Sequence, residues 1–430
     1  MTWLGAVEGY YGPPLAQEDR LDLVGWLGAH GFNAYAYAPK DDPFHRQRWR
    51  EPYPSDRQAQ FRDLLSAGAD AGVDVALVVS PGLDWSAGDE ERLTAKLESF
   101  AALGASVLGV AFDDVPPGGA ELGKAHAGGV AFAAERLGPD VRWVTCPTDY
   151  ATDRPTEYLR AYHAALPEGA DAMWTGPSIV SPRVSSDMAR ALSAELGRPL
   201  LFAENYPVND GAMSSVLHLG PYRGRDPGLP GATSGAFFNF MSLARASRVG
   251  LAAGARFWLD PSVDPEAAWR EAVAEEPGLE PLARASRTWA GDPAEDPDVA
   301  AWVGAALEGD AGPLRAYLVG GCRRDLDPAL AAEVAPWLDQ WDAESMAMQF
   351  ALMLLESPPD ARASAAFALA EVWARARASR YQLFGVRWAH YPVTGRDGED
   401  LVPLAEGLMT GENMTDRLAS AALERAAHAT

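Results

Sequence analysis

The segment VDVALVVSPG, residues 73–82, is an almost uninterrupted run of apolar and β-branched residues that stops at Ser-Pro-Gly. Such a run is typical of a strand buried on both faces, as in a parallel sheet. Similar runs precede and follow it, and the eight runs begin roughly 30 to 40 residues apart, the spacing of strand–helix units. Their predicted bounds are 4–8, 34–38, 73–79, 107–112, 141–146, 172–175, 200–204 and 234–238.

The segments between these runs carry the periodicity of amphipathic helices, as Leu21, Val24 and Leu27 illustrate. No G-x-G-x-x-G motif follows the first run, so a dinucleotide-binding sheet has no support. Eight strand–helix units over about 250 residues favour a closed barrel over an open sheet. We therefore predict an α/β fold, with a catalytic (β/α)8 TIM barrel over residues 1–262. Three of the predicted helical segments are 19–29, 61–71 and 92–103.

The character of the sequence changes after residue 262. Asp264-Pro265 combines a residue type favoured at helix N-caps with proline at the first helical position, and alanine-rich sequence without strand alternation follows. We predict a smaller all-helical C-terminal domain over residues 263–430, interrupted by a loop around Gly395–Gly398. Because large aromatic residues at helical spacing usually pack inward, its tryptophans are expected in the core. They are Trp269, Trp289, Trp302, Trp337, Trp341 and Trp373.

Composition limits the class of protein. Hydrophobic residues make up 48% and charged residues 22%, as in a globular chain, and the net charge of -24 disfavours binding to nucleic acid. Two cysteines, Cys146 and Cys322, are too few for a disulfide scaffold. The amino terminus lacks the pattern of a secretory signal, and no run of about 18 apolar residues occurs. We therefore expect a cytoplasmic protein without a membrane partner. The abundance of alanine, glycine and arginine suggests a bacterial source.

Polar residues gather directly after the predicted strands, at the end of a TIM barrel that holds the active site, so they are expected to converge on one cleft. Carboxylates, amides, tyrosines and one lysine suit a neutral, hydroxyl-rich ligand such as a carbohydrate. Taken singly, each residue also has a structural explanation as a salt bridge, a rim aromatic or a strand-end cap. In strand order they are Gly9, Tyr10, Tyr11; Lys40, Asp41, Asp42; Asp113, Asp114; Tyr150; Trp174; Asn205, Asp210; and Asn239.

Asp113 and Asp114 are the most informative pair. Two carboxylates in one cleft can divide into a proton donor and a charge stabiliser, which glycoside hydrolysis requires. Adjacent residues of a regular strand point to opposite faces, so both can face a cleft only if the strand ends or turns there. Pro116-Pro117 just afterwards favours such a turn. The alternative, that the aspartates cap the following loop or helix, stays open on the residues alone.

Lys40-Asp41-Asp42 together with His45 is a second candidate cluster, in this case for a metal ion. We disfavour a metal, because the chain has only 7 histidines and no histidine or cysteine pair has close ligand spacing. Asp41 and Asp42 are expected instead to organise their loop or to pair with Arg46.

Several long motifs occur in a fixed order: VEGYYG, NAYAYAPKDDPFHRQRWREPYP, VSPGLD, FDDV, TCPTDY, MWTGP, ENYPVND and the later Asn239. Together they resemble the O-GlcNAcase family, glycoside hydrolase family 84. The resemblance covers about residues 5–261 and implies an exo-acting, retaining β-N-acetylglucosaminidase that needs no metal or cofactor. It further implies that the 2-acetamido oxygen of the substrate attacks the anomeric carbon and forms an oxazoline, so that terminal β-linked GlcNAc is removed from proteins or glycans.

The resemblance also implies roles for individual residues. Asp113 matches the carboxylate that orients the acetamido N–H, and Asp114 matches the general acid that protonates the leaving oxygen and then activates water. Tyr150 matches the hydroxyl that donates to the acetamido oxygen, and Asn205 a residue that supports this machinery. Gly9, Lys40, Asp210 and Asn239 match residues that bind the sugar hydroxyls, Tyr11 an aromatic near the leaving group, and Cys146 a residue of the acetyl pocket. Trp174 is a further candidate for substrate binding from its place at the end of the sixth predicted strand.

One position departs from the family pattern. The family usually has tryptophan two residues before the residue that matches Asn205, and here that residue is Ala203. A small side chain is expected to open one wall of the acetyl pocket and to permit N-acyl groups larger than acetyl, unless Trp174 or Phe202 fills the space.

Other functions stay open on the sequence alone. The chain could be a catalytically silent sugar-binding or scaffolding protein, although the intact Asp113, Asp114, Tyr150 and Asn205 argue against this. An endo-acting, hyaluronidase-like enzyme would need an open groove. The helical domain is a possible interaction module and a possible site of oligomer formation.

Overall fold

The computed structural model describes residues 2–289, 291–321, 325–387 and 411–428 of the chain. Eight strands of these residues form a closed barrel in which each strand pairs in parallel with the next and β8 pairs with β1. The predicted (β/α)8 fold is thereby confirmed. The strands are β1 Trp3–Glu8, β2 Ala34–Tyr37, β3 Asp74–Val79, β4 Val107–Ala111, β5 Arg142–Cys146, β6 Asp171–Trp174, β7 Leu200–Glu204 and β8 Gly235–Asn239.

One α-helix of the outer ring follows each strand in chain order except β7, which is joined to β8 by a loop with two short 3-10 turns, Gly211–Met213 and Leu229–Gly231. These helices pack against one another and against the strands, so the apolar outer faces of the barrel are covered. They are α1 Gln17–Ala29, α2 Ser55–Ala71, α3 Asp89–Ala101, α4 Ala120–Leu137, α5 Glu157–Ala165, α6 Ser186–Leu196 and α7 Ala244–Leu259.

The barrel interior is filled by a separate cluster of mostly small side chains. Ala36, Ala76, Val144 and Phe237 belong to it, and the Phe237 ring fits because its neighbour is Gly5. A Cβ atom at Gly5 would lie 2.6 Å from that ring. Because small residues face the barrel axis, space is left above them at the carboxyl ends of the strands.

The C-terminal region is helical, as predicted. The Asp264 side chain caps α8 by accepting from the Ala267 backbone N–H at 3.0 Å. Among the predicted core tryptophans, Trp269, Trp289, Trp337 and Trp341 are buried, and Trp302 and Trp373 are partly buried. The helices are α8 Pro265–Ala274, α9 Glu280–Ala285, α10 Pro297–Glu308, α11 Gly312–Gly320, α12 Pro328–Glu333, α13 Ala335–Glu356, α14 Arg362–Ala378 and α15 Met414–His428.

The loop around Gly395–Gly398 lies outside the described residues. Over the ranges that the structure covers, none of the helices combines the length and apolar character needed to cross a bilayer.

The helical region supports one wall of the barrel mouth, the loop that follows β7. The indole N–H of Trp337 and the backbone N–H of Gln382 both donate to the Ser215 carbonyl, at 3.1 and 2.9 Å. Arg380 donates to the Ser214 hydroxyl at 2.7 Å. The far end of this loop is therefore held by residues from the other half of the chain.

Candidate active site

A cavity of about 410 Å³ opens at the carboxyl ends of the barrel strands. Its upper part carries the polar residues predicted from the sequence, and its floor is apolar. Of the residues expected at this cleft, all line it except Tyr10, Asp41, Asp42 and Trp174. The predicted residues that line it are Gly9, Tyr11, Lys40, Asp113, Asp114, Cys146, Tyr150, Asn205, Asp210 and Asn239, and Thr145, Thr175 and Glu204 add further polar groups.

Asp113 lies just beyond β4 and forms an ion pair with Lys40 from the loop after β2. Lys40 Nζ donates to Asp113 Oδ2, and the lysine is buried. The second oxygen, Oδ1, is buried and has no hydrogen-bond partner among the described residues. A buried acceptor without a partner is costly, so Oδ1 is suited to receive an N–H or O–H from a ligand.

Asp114 points into the same cavity because the chain turns sharply there. Its φ of 54° lies in the left-handed region that residues other than glycine seldom adopt. The strand has already ended at Ala111, so the strict alternation of a strand no longer applies. This turn resolves the geometric difficulty raised by two adjacent aspartates, and it brings both carboxylates to one site.

Two tyrosines hold the Asp114 carboxylate. The Tyr11 hydroxyl donates to Oδ2 and the Tyr150 hydroxyl donates to Oδ1, each at 2.8 Å. Burial and the nearby Asp114 raise the pKa of both tyrosine hydroxyls above its usual value. Both hydroxyls therefore keep their protons and act as hydrogen-bond donors at neutral pH.

Asn205 and Asn239 form a chain of amides beside the carboxylates. Asn239 Nδ2 donates to Asn205 Oδ1 at 3.1 Å, and Asn205 Nδ2 donates to the Ile179 carbonyl at 2.9 Å. Asn239 Oδ1 is buried without a partner among the described residues, 3.3 Å from where a Cβ at Gly9 would lie. Glycine at position 9 thus keeps this acceptor open to the cavity.

Asp210 belongs to the loop after β7 and lies opposite Tyr11. Its Oδ2 accepts from the Tyr11 backbone N–H at 2.7 Å, which ties the loops after β1 and β7 together. Burial raises the pKa of Asp210, and the nearby charge of Asp114 acts in the same direction.

The floor of the cavity lies one layer deeper in the barrel. Val78, Val144, Met173 and Phe237 line it, and Ala203 opens its wall. Cys146 also lines the cavity, and burial followed by the nearby Asp113 raises the pKa of its thiol well above the usual value. The thiol is therefore protonated and serves as a small lining group rather than as a nucleophile.

The prediction that Trp174 binds substrate is not supported by its position. Its side chain is buried outside the cavity, where its indole N–H donates to the Thr152 carbonyl at 2.8 Å and its ring packs on Phe202. Side chains alternate along a strand, so Met173 and Thr175 face the cavity and Trp174 faces outward. Neither Trp174 nor Phe202 fills the space beside Ala203.

The alternative metal cluster does not assemble. Asp42 accepts from the hydroxyls of Tyr37 and Tyr53, at 2.5 and 3.0 Å, and from the Phe44 backbone N–H at 2.9 Å. It therefore organises its loop, but its arginine partner is Arg57, at 3.4 Å, and not Arg46 as predicted. Burial lowers the pKa of His45 to about 3.

Sequence reasoning missed several residues of the site. Met173, Phe237, Ile179 and Met213 line the cavity, and the inward positions of β6 and β8 could have been found by counting in twos along those strands. Arg46 lies behind the cavity wall and contacts two of its residues. Its contacts cross between loops, so no local pattern indicates them.

Comparison with known proteins agrees with the family that the sequence motifs indicate. A model of the family described as beta-N-acetylglucosaminidase matches residues 4–289. The protein O-GlcNAcases of Rattus norvegicus and Mus musculus are each 30% identical to the chain over 252 residues, which are 55% of this chain. The matched region spans only 27% of the length of those curated relatives.

Solved structures show the same likeness over more of the chain. A variant of the O-GlcNAc hydrolase of Thermobaculum terrenum matches with a TM-score of 0.83 and 25% identity, covering 100% of this chain and 94% of that one. A structure described as CpGH84B matches with a TM-score of 0.79 and 23% identity over 89% of this chain and 74% of the other. At that identity the second match bears on the fold alone.

Proposed function

The chain belongs to the beta-N-acetylglucosaminidase family, the O-GlcNAcase family predicted from its motifs, and on this premise we propose that it is an exo-acting β-N-acetylglucosaminidase. The observation that carries the proposal is the joint placement of Asp113, Asp114 and Tyr150 around one cavity. Its substrate is a terminal β-linked GlcNAc on serine or threonine of a protein, or on a glycan.

In the first step the acetamido group of the substrate serves as nucleophile. Its carbonyl oxygen attacks the anomeric carbon while the bond to the leaving oxygen breaks, which departs from the usual protein nucleophile. Asp113 Oδ1 accepts the acetamido N–H, and the negative charge stabilises the developing oxazolinium. Tyr150 positions the acetamido oxygen by donating its hydroxyl. Protonated Asp114 transfers its proton to the leaving oxygen, so the aglycone departs as a neutral alcohol.

In the second step water opens the oxazolinium ring, whose N–H is still hydrogen-bonded to Asp113. Asp114, now a carboxylate, takes a proton from the water as its oxygen attacks the anomeric carbon. The bond to the acetamido oxygen breaks, and its electron pair restores the amide. Two inversions leave the β configuration retained, and Asp114 is protonated for the next turnover.

The shape of the cavity favours an exo-acting enzyme over the endo-acting alternative. Residues from the ends of all eight strands surround it, and Val78, Val144 and Phe237 form its floor. A pocket with a floor accepts the end of a chain, whereas an endo-acting enzyme needs a groove that a chain can cross. The sugar hydroxyls have Lys40, Asp210, Asn239 and the backbone at Gly9 as partners.

The rim of the cavity is where the leaving group would emerge. Tyr11 is 46% exposed there and Ile179 is 37% exposed, with Met213 also in the lining. An apolar and aromatic rim provides contact area without demanding a particular hydrogen-bonding pattern. It suits a peptide or glycan aglycone of varied sequence.

Release of nitrophenol from 4-nitrophenyl β-N-acetylglucosaminide tests the proposal. We expect turnover of this substrate, none of the corresponding β-glucoside, and a large loss in Asp114→Asn. The glucoside lacks the 2-acetamido group and so lacks the nucleophile. Equal turnover of the glucoside, or full activity in Asp114→Asn, would contradict the proposal. A folded but inactive parental protein would favour the sugar-binding alternative.

A further inference from the structure

Arg46 is a buried cation behind the wall of the cavity, in the loop that follows β2. It is 5% exposed, and within the described ranges no carboxylate forms an ion pair with it. Its two terminal nitrogens instead donate to the Tyr11 hydroxyl at 2.9 Å and to the Asp114 backbone carbonyl at 3.2 Å. Buried arginines usually have a carboxylate partner, so these two contacts call for an explanation.

The contact with the Asp114 carbonyl bears on the conformation of that residue. That residue has a φ of 54°, a conformation that persists only where surrounding groups hold it. The guanidinium of Arg46 holds the Asp114 carbonyl from behind the wall, while Tyr11 and Tyr150 hold its carboxylate from the front. Arg46 is thus a support for the turn that brings Asp114 into the cavity.

The contact with the Tyr11 hydroxyl bears on where the proton of Asp114 resides. Arginine has donors only and stays charged, so the Tyr11 oxygen must accept from Arg46. The Tyr11 hydroxyl hydrogen is then free to point at Asp114 Oδ2, which lies 2.8 Å away. Oδ1 accepts from Tyr150 in this structure, but in the proposed mechanism the Tyr150 hydroxyl turns to the acetamido oxygen, whereas Arg46 keeps Tyr11 on Oδ2. With substrate bound, Oδ1 is therefore the oxygen left to carry the proton.

We propose that Arg46 is a positioning residue for the general acid, holding Asp114 in its turn and directing the catalytic proton to Oδ1. The inference rests on the proposed function. When substrate is bound, Tyr150 donates to the acetamido oxygen and releases Oδ1. The proton then passes from Oδ1 to the leaving oxygen as the bond to the anomeric carbon breaks and its electron pair moves to that oxygen.

Leaving-group dependence distinguishes this role from a structural one. The substrates are 2,4-dinitrophenyl and phenyl β-N-acetylglucosaminide, because dinitrophenolate departs without protonation whereas the phenyl group needs the acid. Arg46→Met should lose at least about 10-fold more kcat/KM on the phenyl substrate than on the dinitrophenyl substrate, since general acid catalysis is typically worth 10²–10⁴-fold. Arg46→Lys, which keeps the positive charge on a single donor nitrogen, should recover part of the loss on the phenyl substrate.

Arg48→Met is the matched control, because Arg48 lies in the same loop, is 53% exposed and pairs with Glu51. It should leave both rates unchanged. The inference would be overturned if each variant lost the same factor in kcat/KM on both substrates. It would also be overturned if neither variant lost activity on either substrate. If Arg46→Met does not fold, the same comparison in Arg46→Lys decides. A parental enzyme inactive on both substrates would instead refute the proposed function, and the inference with it.

Discussion

Ala203 lines the deep wall of the cavity, and replacing it tests how the enzyme selects the N-acyl group. The floor nearby is made of Val144, Met173 and Phe237, within a cavity of about 410 Å³. Neither Trp174 nor Phe202 occupies that space. We therefore expect the parental enzyme to accept N-propionyl and N-butyryl substrates.

The magnitude follows from the apolar floor. Burying one methylene contributes about 0.8 kcal/mol, which is about 4-fold in an equilibrium constant. Values of kcat/KM for the N-propionyl and N-acetyl substrates should then agree within about 4-fold. In Ala203→Leu the longer acyl chains would overpack the floor, and an overpacking cost of about 1–3 kcal/mol corresponds to a selective loss of about 5- to 140-fold.

The assay compares 4-nitrophenyl glycosides that carry N-acetyl, N-propionyl and N-butyryl groups. Ala370→Leu is the control, because Ala370 is exposed on α14, far along the chain from the barrel. A steep loss from N-acetyl to N-propionyl in the parental enzyme, unchanged by Ala203→Leu, would refute the reasoning.

Three further substitutions separate the catalytic contacts from structural ones. Tyr150→Phe removes a donor at the reacting centre, and initial rates should show a loss of about 10²–10³-fold in kcat/KM; an unchanged rate would exclude the role. Trp174→Phe should leave KM unchanged. It should lower the free energy of unfolding in urea by about 1 kcal/mol, because the Thr152 carbonyl loses its donor. A several-fold rise in KM would instead indicate that the indole contacts the sugar. Glu204→Gln removes the charge that pairs with buried Arg225, and urea unfolding should show a loss of about 3–5 kcal/mol, whereas wild-type stability would mean that the pair is not strongly coupled.

The barrel strands could be predicted in detail because a strand buried on both faces is a nearly continuous apolar run in the sequence. Each of the eight apolar runs differs from the observed strand by at most one residue at either end. The helices were predicted less well at their starts: α2 begins at Ser55 and not at residue 61, because its first turns are polar and carry no apolar periodicity.

The site was predictable to the extent that strand ends converge in this fold. The ring from Gly9 to Asn239 follows from that rule alone, since parallel strands of a barrel end on the same face. The structure has Trp174 outside the cavity because side chains alternate along β6, and Met173 rather than Trp174 faces the cavity. Arg46 could not have been found, because its partners Tyr11 and Asp114 lie on loops that only the closed barrel brings together.

The most direct test of the account is whether the substrate supplies its own nucleophile. The measurement is kcat/KM for a series of 4-nitrophenyl glycosides with N-acetyl, N-fluoroacetyl, N-difluoroacetyl and N-trifluoroacetyl groups. Fluorine withdraws electrons from the acetamido oxygen with little change in size. Participation of that oxygen, held by Asp113 and Tyr150, predicts a progressive fall in kcat/KM along the series. A flat series would contradict the account and indicate a nucleophile from the protein or from water.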